Sequence, residues 1–100
     1  MAKWANFVIT RVRYNSSKTR IIKVTRRKDL GNTLGIPVIR TRGQIVTEIG
    51  NGLSYVTGFK EGGEWVKGDR VIRYRLDEEY FIRTDGNKKK ADNLGKLPKF

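Results

Sequence analysis

The sequence predicts a β-rich α+β fold: a small twisted antiparallel sheet or partly open barrel of about five strands with one short helix. Several segments alternate apolar and charged side chains and are rich in β-branched and aromatic residues, which is typical of strands. Gly, Asn, Asp and Ser separate these segments, and one segment has a helix start signal. We expect a single domain over residues 1–100, with a β-rich body (3–87) and a tail (88–100) that packs back on it.

The first two predicted strands form a hairpin. The segment "WANFVITRVRY" (4–14) is followed by turn residues, "NSSKT" (15–19), and by a second strand, "RIIKVTRR" (20–27). The adjacent apolar residues Val8 and Ile9 interrupt the alternation of the first strand and indicate a bulge. If the strands pair as the pattern indicates, like charges gather on one side of the sheet, at Arg11, Arg13, Lys23 and Arg27.

A loop and a short helix follow the hairpin. The stretch "DLGNTLGIP" (29–37) contains two Gly and one Pro and is predicted to be a loop. In "TRGQIVTEIGNG" (41–52), Thr41 and Gln44 have the spacing of a capping box, and Ile45 and Ile49 lie one helical turn apart. Gly50 is placed to end this helix as its left-handed cap residue. A strand over "QIVTEI" is the alternative.

Three further strands are predicted, at "LSYVTGF" (53–59), "RVIRYRL" (70–76) and "YFIRT" (80–84). The stretches "KEGGEWVKGD" and "DEE" are interpreted as the connections between them. The last two strands are predicted to form a tight hairpin with one apolar and one basic face. The apolar face would carry Ile72, Tyr74, Leu76, Tyr80 and Ile82, and the basic face Arg73, Arg75 and Arg83.

Charge is the strongest anomaly of this chain, which has a net charge of +12. Residues 1–40 have ten Lys and Arg but only one acidic residue, Asp29, and residues 41–84 have seven of each sign. Such an excess favours binding to nucleic acid or another polyanion through counterion release and electrostatic steering. The residues predicted to bind nucleic acid are Arg11, Arg13, Lys23, Arg26, Arg27, Arg73, Arg75, Lys88, Lys89 and Lys90.

Aromatic residues lie among these basic residues and could stack on unpaired bases, although burial in the core is their commonest fate. The candidates are Trp4, Tyr14, Tyr55, Trp65, Tyr74 and Phe81. The alternative to nucleic-acid binding is a protein-interaction or inhibitor module that docks on an acidic partner surface, where charge sets the association rate. An exposed strand edge would also allow a homodimer.

The sequence indicates no enzyme, no cofactor and no metal site. It has neither Cys nor His, which removes thiolate chemistry, structural zinc and the usual proton shuttle. The one acidic cluster, residues 77–79, is interpreted as a solvated hairpin turn. No apolar run approaches the roughly 20 residues of a membrane span, and the first residues lack the apolar core of a signal peptide. We therefore expect a cytoplasmic protein without a membrane partner.

The C-terminal stretch "YFIRTDGNKKKADNLGKLP" carries the most specific pattern: an aromatic residue, Arg, Thr, Asp-Gly and then Asn-Leu-Gly-x-Leu-Pro. Together with "ITRVR" near the start and "IVTEIGNG" in the middle, it resembles the domain-of-unknown-function family three-eight-nine-two. The resemblance implies a shared fold without an established activity. It also implies a structural role for the tail, where Leu94 and Leu97 are expected to pack on the body.

Overall fold

The structure, a computed structural model, describes residues 3–84, 92, 94 and 97–100. Its strands and helix are, in chain order, β1 (Phe7–Tyr14), β2 (Ile21–Lys28), β3 (Val38–Thr41), α1 (Arg42–Gly50), β4 (Tyr55–Glu61), β5 (Glu64–Arg70), β6 (Ile72–Leu76) and β7 (Glu79–Arg83). Five strands form a sheet in the order β3-β2-β1-β4-β5, and β6 and β7 form a second, two-stranded sheet. This architecture confirms the α+β class and its β-rich character.

A bulge in β1 determines which of its side chains lie on each face of the large sheet. Ile9 lies opposite Arg26 of β2, but Arg11 lies opposite Thr25, so Thr10 is the extra residue. The bulge directs Ile9 and the following apolar residues to one face, which we call the inner face. Arg11 and Arg13 lie on the opposite face, which we call the outer face.

The large sheet is mixed rather than wholly antiparallel. β1 and β4 run parallel, with Phe7 opposite Tyr55, whereas the other neighbours are antiparallel. A parallel pair needs a long crossover, and here β2, β3 and α1 provide it. The edge strand β3 was not predicted: residues 38–40 lie between the predicted loop (29–37) and the predicted helix start at Thr41, and they were assigned to no element.

The helix starts as predicted and ends two residues later than predicted. The Thr41 hydroxyl accepts a hydrogen bond from the Gln44 amide, and the Gln44 side chain accepts one from the Thr41 amide, so the capping box is complete. Gly50 is the last helical residue, and Gly52 adopts the left-handed conformation, with φ of 91°. Backbone bonds from Gly52 and Leu53 close a Schellman motif.

Among the described residues no helix is long and apolar enough to cross a membrane.

The stretch predicted as a connection after β4 contains a strand, β5. A turn at Gly62 and Gly63, both with positive φ, joins β4 to β5, and Lys60 lies opposite Trp65. Gly68 obscured this strand in the sequence, and the structure gives the reason for the glycine: the Thr57 side chain occupies the place of a Cβ. β5 then leads through buried Val71 directly into β6.

The β6–β7 hairpin is shifted by one residue from the predicted pairing. Asp77 and Glu78 have φ of 51° and 64° and form a two-residue turn, where three loop residues were expected. Tyr74 therefore pairs with Phe81, and Arg73 pairs with Ile82. Because side chains alternate along a strand, this shift changes which residues share a face. The predicted apolar and basic faces of this hairpin were wrong.

The main core lies between the inner face, α1 and the second sheet. Its buried residues come from β1, β2, α1, β4 and β7, from the residue between β5 and β6, and from the tail: Ile9, Val12, Ile21, Val24, Ile45, Tyr55, Val71, Ile82, Leu94 and Leu97. The presence of Leu94 and Leu97 confirms that these two tail residues pack on the body. The tail also pairs with β1, since the Val12 amide donates to the Pro98 carbonyl and the Phe100 amide donates to the Val12 carbonyl. The turn predicted at Asp85 lies outside the described residues.

Candidate nucleic-acid interface

Four of the predicted basic residues lie together on the outer face. The pairing of β1 with β2 puts Arg13 directly opposite Lys23 and Arg11 opposite Thr25. Arg27 follows Thr25 by two residues and therefore shares its face. We call Arg11, Arg13, Lys23 and Arg27 the basic row. Like charges that face each other across strands repel, so a bound anion would stabilise this arrangement.

No acidic side chain among the described residues forms an ion pair with the basic row. The ion pairs within the described residues are Arg20 with Glu79, Arg26 with Glu48, and Arg42 with Asp92. None of them includes a member of the basic row. Arg13 donates from its Nε to the Phe100 carbonyl at 2.8 Å and lies over the Phe100 ring, which leaves its terminal nitrogens available.

The basic row borders a cleft of about 480 Å³ on the outer face, which we call the Trp65 cleft. Its lining residues are Thr10, Arg11, Thr25, Arg27, Pro37, Phe59, Lys60, Trp65 and Pro98. Three of them are cationic, and none of these described lining residues is acidic. Two are aromatic, so the cleft combines positive charge with ring surface. Cavities that hold small ligands have volumes of about 300–1,000 Å³.

Arg27 and Lys60 both contact the Trp65 ring. The Arg27 guanidinium carbon and the Lys60 ammonium each lie 5.2 Å from the ring centre, within the range of cation–π interactions. Arg27 also donates from Nη1 to the Gly35 carbonyl at 3.0 Å, which fixes its position. Its Nε is buried and has no hydrogen-bond partner among the described residues. The guanidinium is therefore held between the Trp65 ring and the Gly35 carbonyl at the border of the cleft.

Arg26 was predicted to bind nucleic acid, and the structure places it elsewhere. It points to the inner face, is only 7% exposed, and donates from Nη1 to Glu48 Oε1 at 2.7 Å and to the Tyr55 hydroxyl. Burial acts to raise the pKa of Glu48, but hydrogen bonds from Tyr55 and Arg26 outweigh it and lower the pKa. Burial and the Glu48 hydrogen bond raise the pKa of Tyr55. Arg26 belongs to a buried network and is a correction to the predicted site.

The other predicted basic residues do not extend the row. Arg73 and Arg75 lie on the second sheet, where Arg73 stacks on Tyr80 and donates from Nη1 to the Val46 carbonyl of α1. That sheet packs on the inner side of the large sheet, so Arg73 and Arg75 do not continue the outer face. Lys88, Lys89 and Lys90 lie outside the described residues.

Of the candidate aromatic residues, Trp65 lines the cleft beside the basic row. Trp4 packs against the same small apolar cluster as Trp65, and Tyr14 packs against the main core. Tyr55 and Phe81 are fully buried, and Tyr74 stacks against Phe81 in the second sheet. Phe59 and Lys60 were missed as site residues, because the cleft forms only when the β4–β5 hairpin folds against β1 and β2. The one signal in the sequence was Gly62-Gly63, which brings Lys60 opposite Trp65.

The fold and the site define a small β-rich domain with a basic, aromatic-lined sheet face. A family model described as "Protein of unknown function (DUF3892)" matches residues 8–98 of the chain. The chain belongs to this family, which confirms the resemblance seen in its C-terminal stretch. Neither a curated protein nor a solved structure was found to match it.

Proposed function

We propose that this protein is a non-enzymatic, cytoplasmic nucleic-acid-binding protein that uses the basic row and the Trp65 cleft. One observation carries the proposal: four cations share the outer face without acidic partners among the described residues, and they border an aromatic cleft. A high positive charge alone would be compatible with binding to any polyanion. The cleft narrows the ligand to a polyanion that also offers flat apolar rings, which is the chemistry of a nucleic acid.

The basic row supplies contacts to phosphates. Arg11, Lys23 and Arg13 are exposed, and their spacing follows the two strands of the β1–β2 hairpin. Lys binds phosphate as a point charge, and Arg can donate two parallel hydrogen bonds to it. Contacts of this kind position a nucleic acid without reading its sequence. We therefore propose sequence-tolerant binding.

The Trp65 cleft supplies contacts to bases. Trp65 is half-buried and Phe59 is 38% exposed, so both rings can be reached from solvent. Stacking on an aromatic side chain requires a base whose face is free, which a single strand offers and an intact duplex does not. The proposal therefore favours single-stranded DNA or RNA.

The proposal is tested by fluorescence titration of a labelled single-stranded oligonucleotide of mixed sequence, starting at low salt. If the basic row releases counterions at four phosphates, log Kd changes with log salt with a slope of about 3. Arg11→Gln is expected to weaken binding at low salt and to reduce the slope by about 0.7.

Arg75→Gln is the matched control, because it removes the same charge from an exposed residue of the second sheet. It is expected to change affinity and slope much less than Arg11→Gln. Equal effects of the two variants would mean that only net charge matters, and that the outer face is not the binding surface. Absence of binding near 50 mM salt, an ionic strength that favours such contacts, would refute the proposal altogether.

A further inference from the structure

The short strand β3 leaves one edge of the large sheet open. It pairs with β2 on one side, and within the described residues no strand pairs with its other side. Its backbone therefore presents unpaired donors and acceptors, which can pair with an extended segment of another chain. The side chains along this edge show what such a segment would meet.

The edge carries the most exposed large apolar side chains of the described chain. Ile36 is 79% exposed, Ile39 56% and Leu30 53%. Ile36 and Leu30 line a cavity of about 380 Å³ together with Val38, Phe7, Gly35 and two cations, Arg26 and Lys28. Val38 and Arg26 face each other across the β2–β3 pair on the inner face. This apolar cavity can take one apolar side chain of an added strand.

A second cavity lies further along the same edge, between β3 and α1. It measures about 540 Å³, and its lining includes Arg40, Gln44, Thr47 and Glu48. Arg40 is two residues from Val38, so both side chains point to the inner face. The Nε of Arg40 is buried without a hydrogen-bond partner among the described residues, and Glu48 is already engaged by Arg26 and Tyr55. The second cavity therefore contains a cation, Arg40, and the carboxylate that lines the cavity with it, Glu48, is shared with Arg26 and Tyr55.

We propose that the β3 edge binds an extended segment of an acidic partner protein, which adds to the sheet as a sixth strand. The geometry specifies the segment, because side chains of a strand alternate between faces. An apolar residue fills the cavity beside Val38, and an acidic residue two positions away pairs with Arg40. The residue between them is apolar and covers Ile39 on the outer face.

Charge complementarity favours an acidic partner segment over the two other possible occupants of the edge, a second copy of this chain and a nucleic acid. A second copy of this chain has the same net charge of +12. Its Arg40 and Lys28 would lie close to the same cations of the first copy and would repel them. A nucleic acid binds mainly through its phosphates and through stacking of its bases, and three exposed aliphatic side chains provide neither kind of contact. The β3 edge adjoins the Trp65 cleft at Pro37, but Ile36, Val38 and Arg40 do not line that cleft. This inference therefore does not depend on the proposed nucleic-acid binding.

The probes are two labelled peptides with the central sequence Ile-Val-Asp or its reverse, Asp-Val-Ile, since an added strand can run in either direction. One of them is expected to bind, and its Asp→Asn form is expected to bind about tenfold more weakly because a charged partner for Arg40 is lost. With the Arg40→Gln protein, the Asp and Asn peptides are expected to bind equally. Ile36→Ser is expected to weaken binding of either peptide form by about tenfold.

Ile72→Ser is the matched control, because it removes an exposed isoleucine from the second sheet, and it is expected to leave peptide binding unchanged. Amide resonances of Ile36 and of residues 38–41 are expected to shift on binding. The inference is wrong if neither peptide binds at about 1 mM, or if Ile36→Ser has no effect. If the wild-type protein dimerises and Ile36→Ser abolishes the dimer, the edge binds a second copy of the chain instead. If an oligonucleotide displaces the peptide, the edge binds nucleic acid.

Discussion

The Asp92 carboxylate and the Arg42 guanidinium form an ion pair in which Arg42 Nε lies 2.6 Å from Asp92 Oδ2. The same carboxylate accepts hydrogen bonds from the backbone amides of Ile21 and Ile82, each at 2.9 Å. Asp92 thus joins the tail to β2, to the start of α1 and to β7. Asp92 lies just before the Asn-Leu-Gly-x-Leu-Pro element and within the residues that the family model matches. Asp92 therefore gives this part of the chain a structural role.

Asp92→Asn is expected to lower the free energy of unfolding by about 3 kcal/mol. The substitution leaves Arg42 without its buried partner and turns one acceptor oxygen into an amide that faces other donors. Urea denaturation measures the change. Asp69→Asn is the control: Asp69 is exposed, and its backbone amide rather than its carboxylate makes its hydrogen bond to Thr57. Equal destabilisation by both variants would contradict the role assigned to Asp92.

Glu48→Gln is expected to destabilise the protein most at neutral pH. In the folded protein the pKa of Glu48 lies below its ordinary value of 4.5, although burial alone would raise it, because Tyr55 and Arg26 hydrogen-bond to the carboxylate. The carboxylate therefore stabilises the fold fully above pH 4.5, and this contribution disappears as the pH falls through the lowered pKa.

Urea denaturation at several pH values tests this expectation. The difference between wild type and Glu48→Gln should shrink in acid. Tyr55→Phe keeps the Arg26–Glu48 ion pair but removes the two hydrogen bonds of the hydroxyl, to Glu48 and from Arg26, so part of the pH dependence should remain. A difference that is constant with pH would contradict the assignment.

Two glycines of the helix region are expected to respond to alanine with opposite signs. Gly43 is in the first turn of α1, and a Cβ there would meet no atom within 4 Å. Gly43→Ala is expected to raise the free energy of unfolding by about 0.5 kcal/mol, because alanine is the better helix former. Gly52→Ala is expected to lower it by about 1 kcal/mol, because Gly52 has a left-handed backbone. Thermal or urea denaturation of both variants checks the signs, and a stabilising Gly52→Ala would refute the Schellman assignment.

Features that depend on neighbouring residues were predictable from the sequence. The Thr41–Gln44 capping box involves residues three positions apart and is present as predicted. The basic row also follows from local alternation, and the bulge expected near Val8 and Ile9 occurs at Thr10. The alternation of β1 and β2 was sufficient to place Arg11, Arg13, Lys23 and Arg27 on one face.

Features that depend on distant partners or rare backbone conformations were not predictable. Arg26 looked like its neighbour Arg27, and only its contact with Glu48, 22 residues away, shows that it is buried. The β6–β7 register depends on Asp77 and Glu78 adopting positive φ, which residues other than glycine seldom do. The Trp65 cleft needs β4 to return parallel to β1, a topology that no single segment specifies.

Trp65→Leu is expected to weaken single-stranded oligonucleotide binding by about tenfold while leaving the salt slope unchanged. The substitution removes a stacking surface, worth about 1–3 kcal/mol per base, but no charge. Trp65→Phe keeps a ring and is expected to retain most of the affinity. Titration across a salt series measures both quantities, and urea denaturation shows whether each variant folds, since Trp65 packs against the small apolar cluster around Val8 and Val56. A lower salt slope in Trp65→Leu would mean that the indole acts by holding Arg27 and Lys60 in place, and the stacking role would then be wrong.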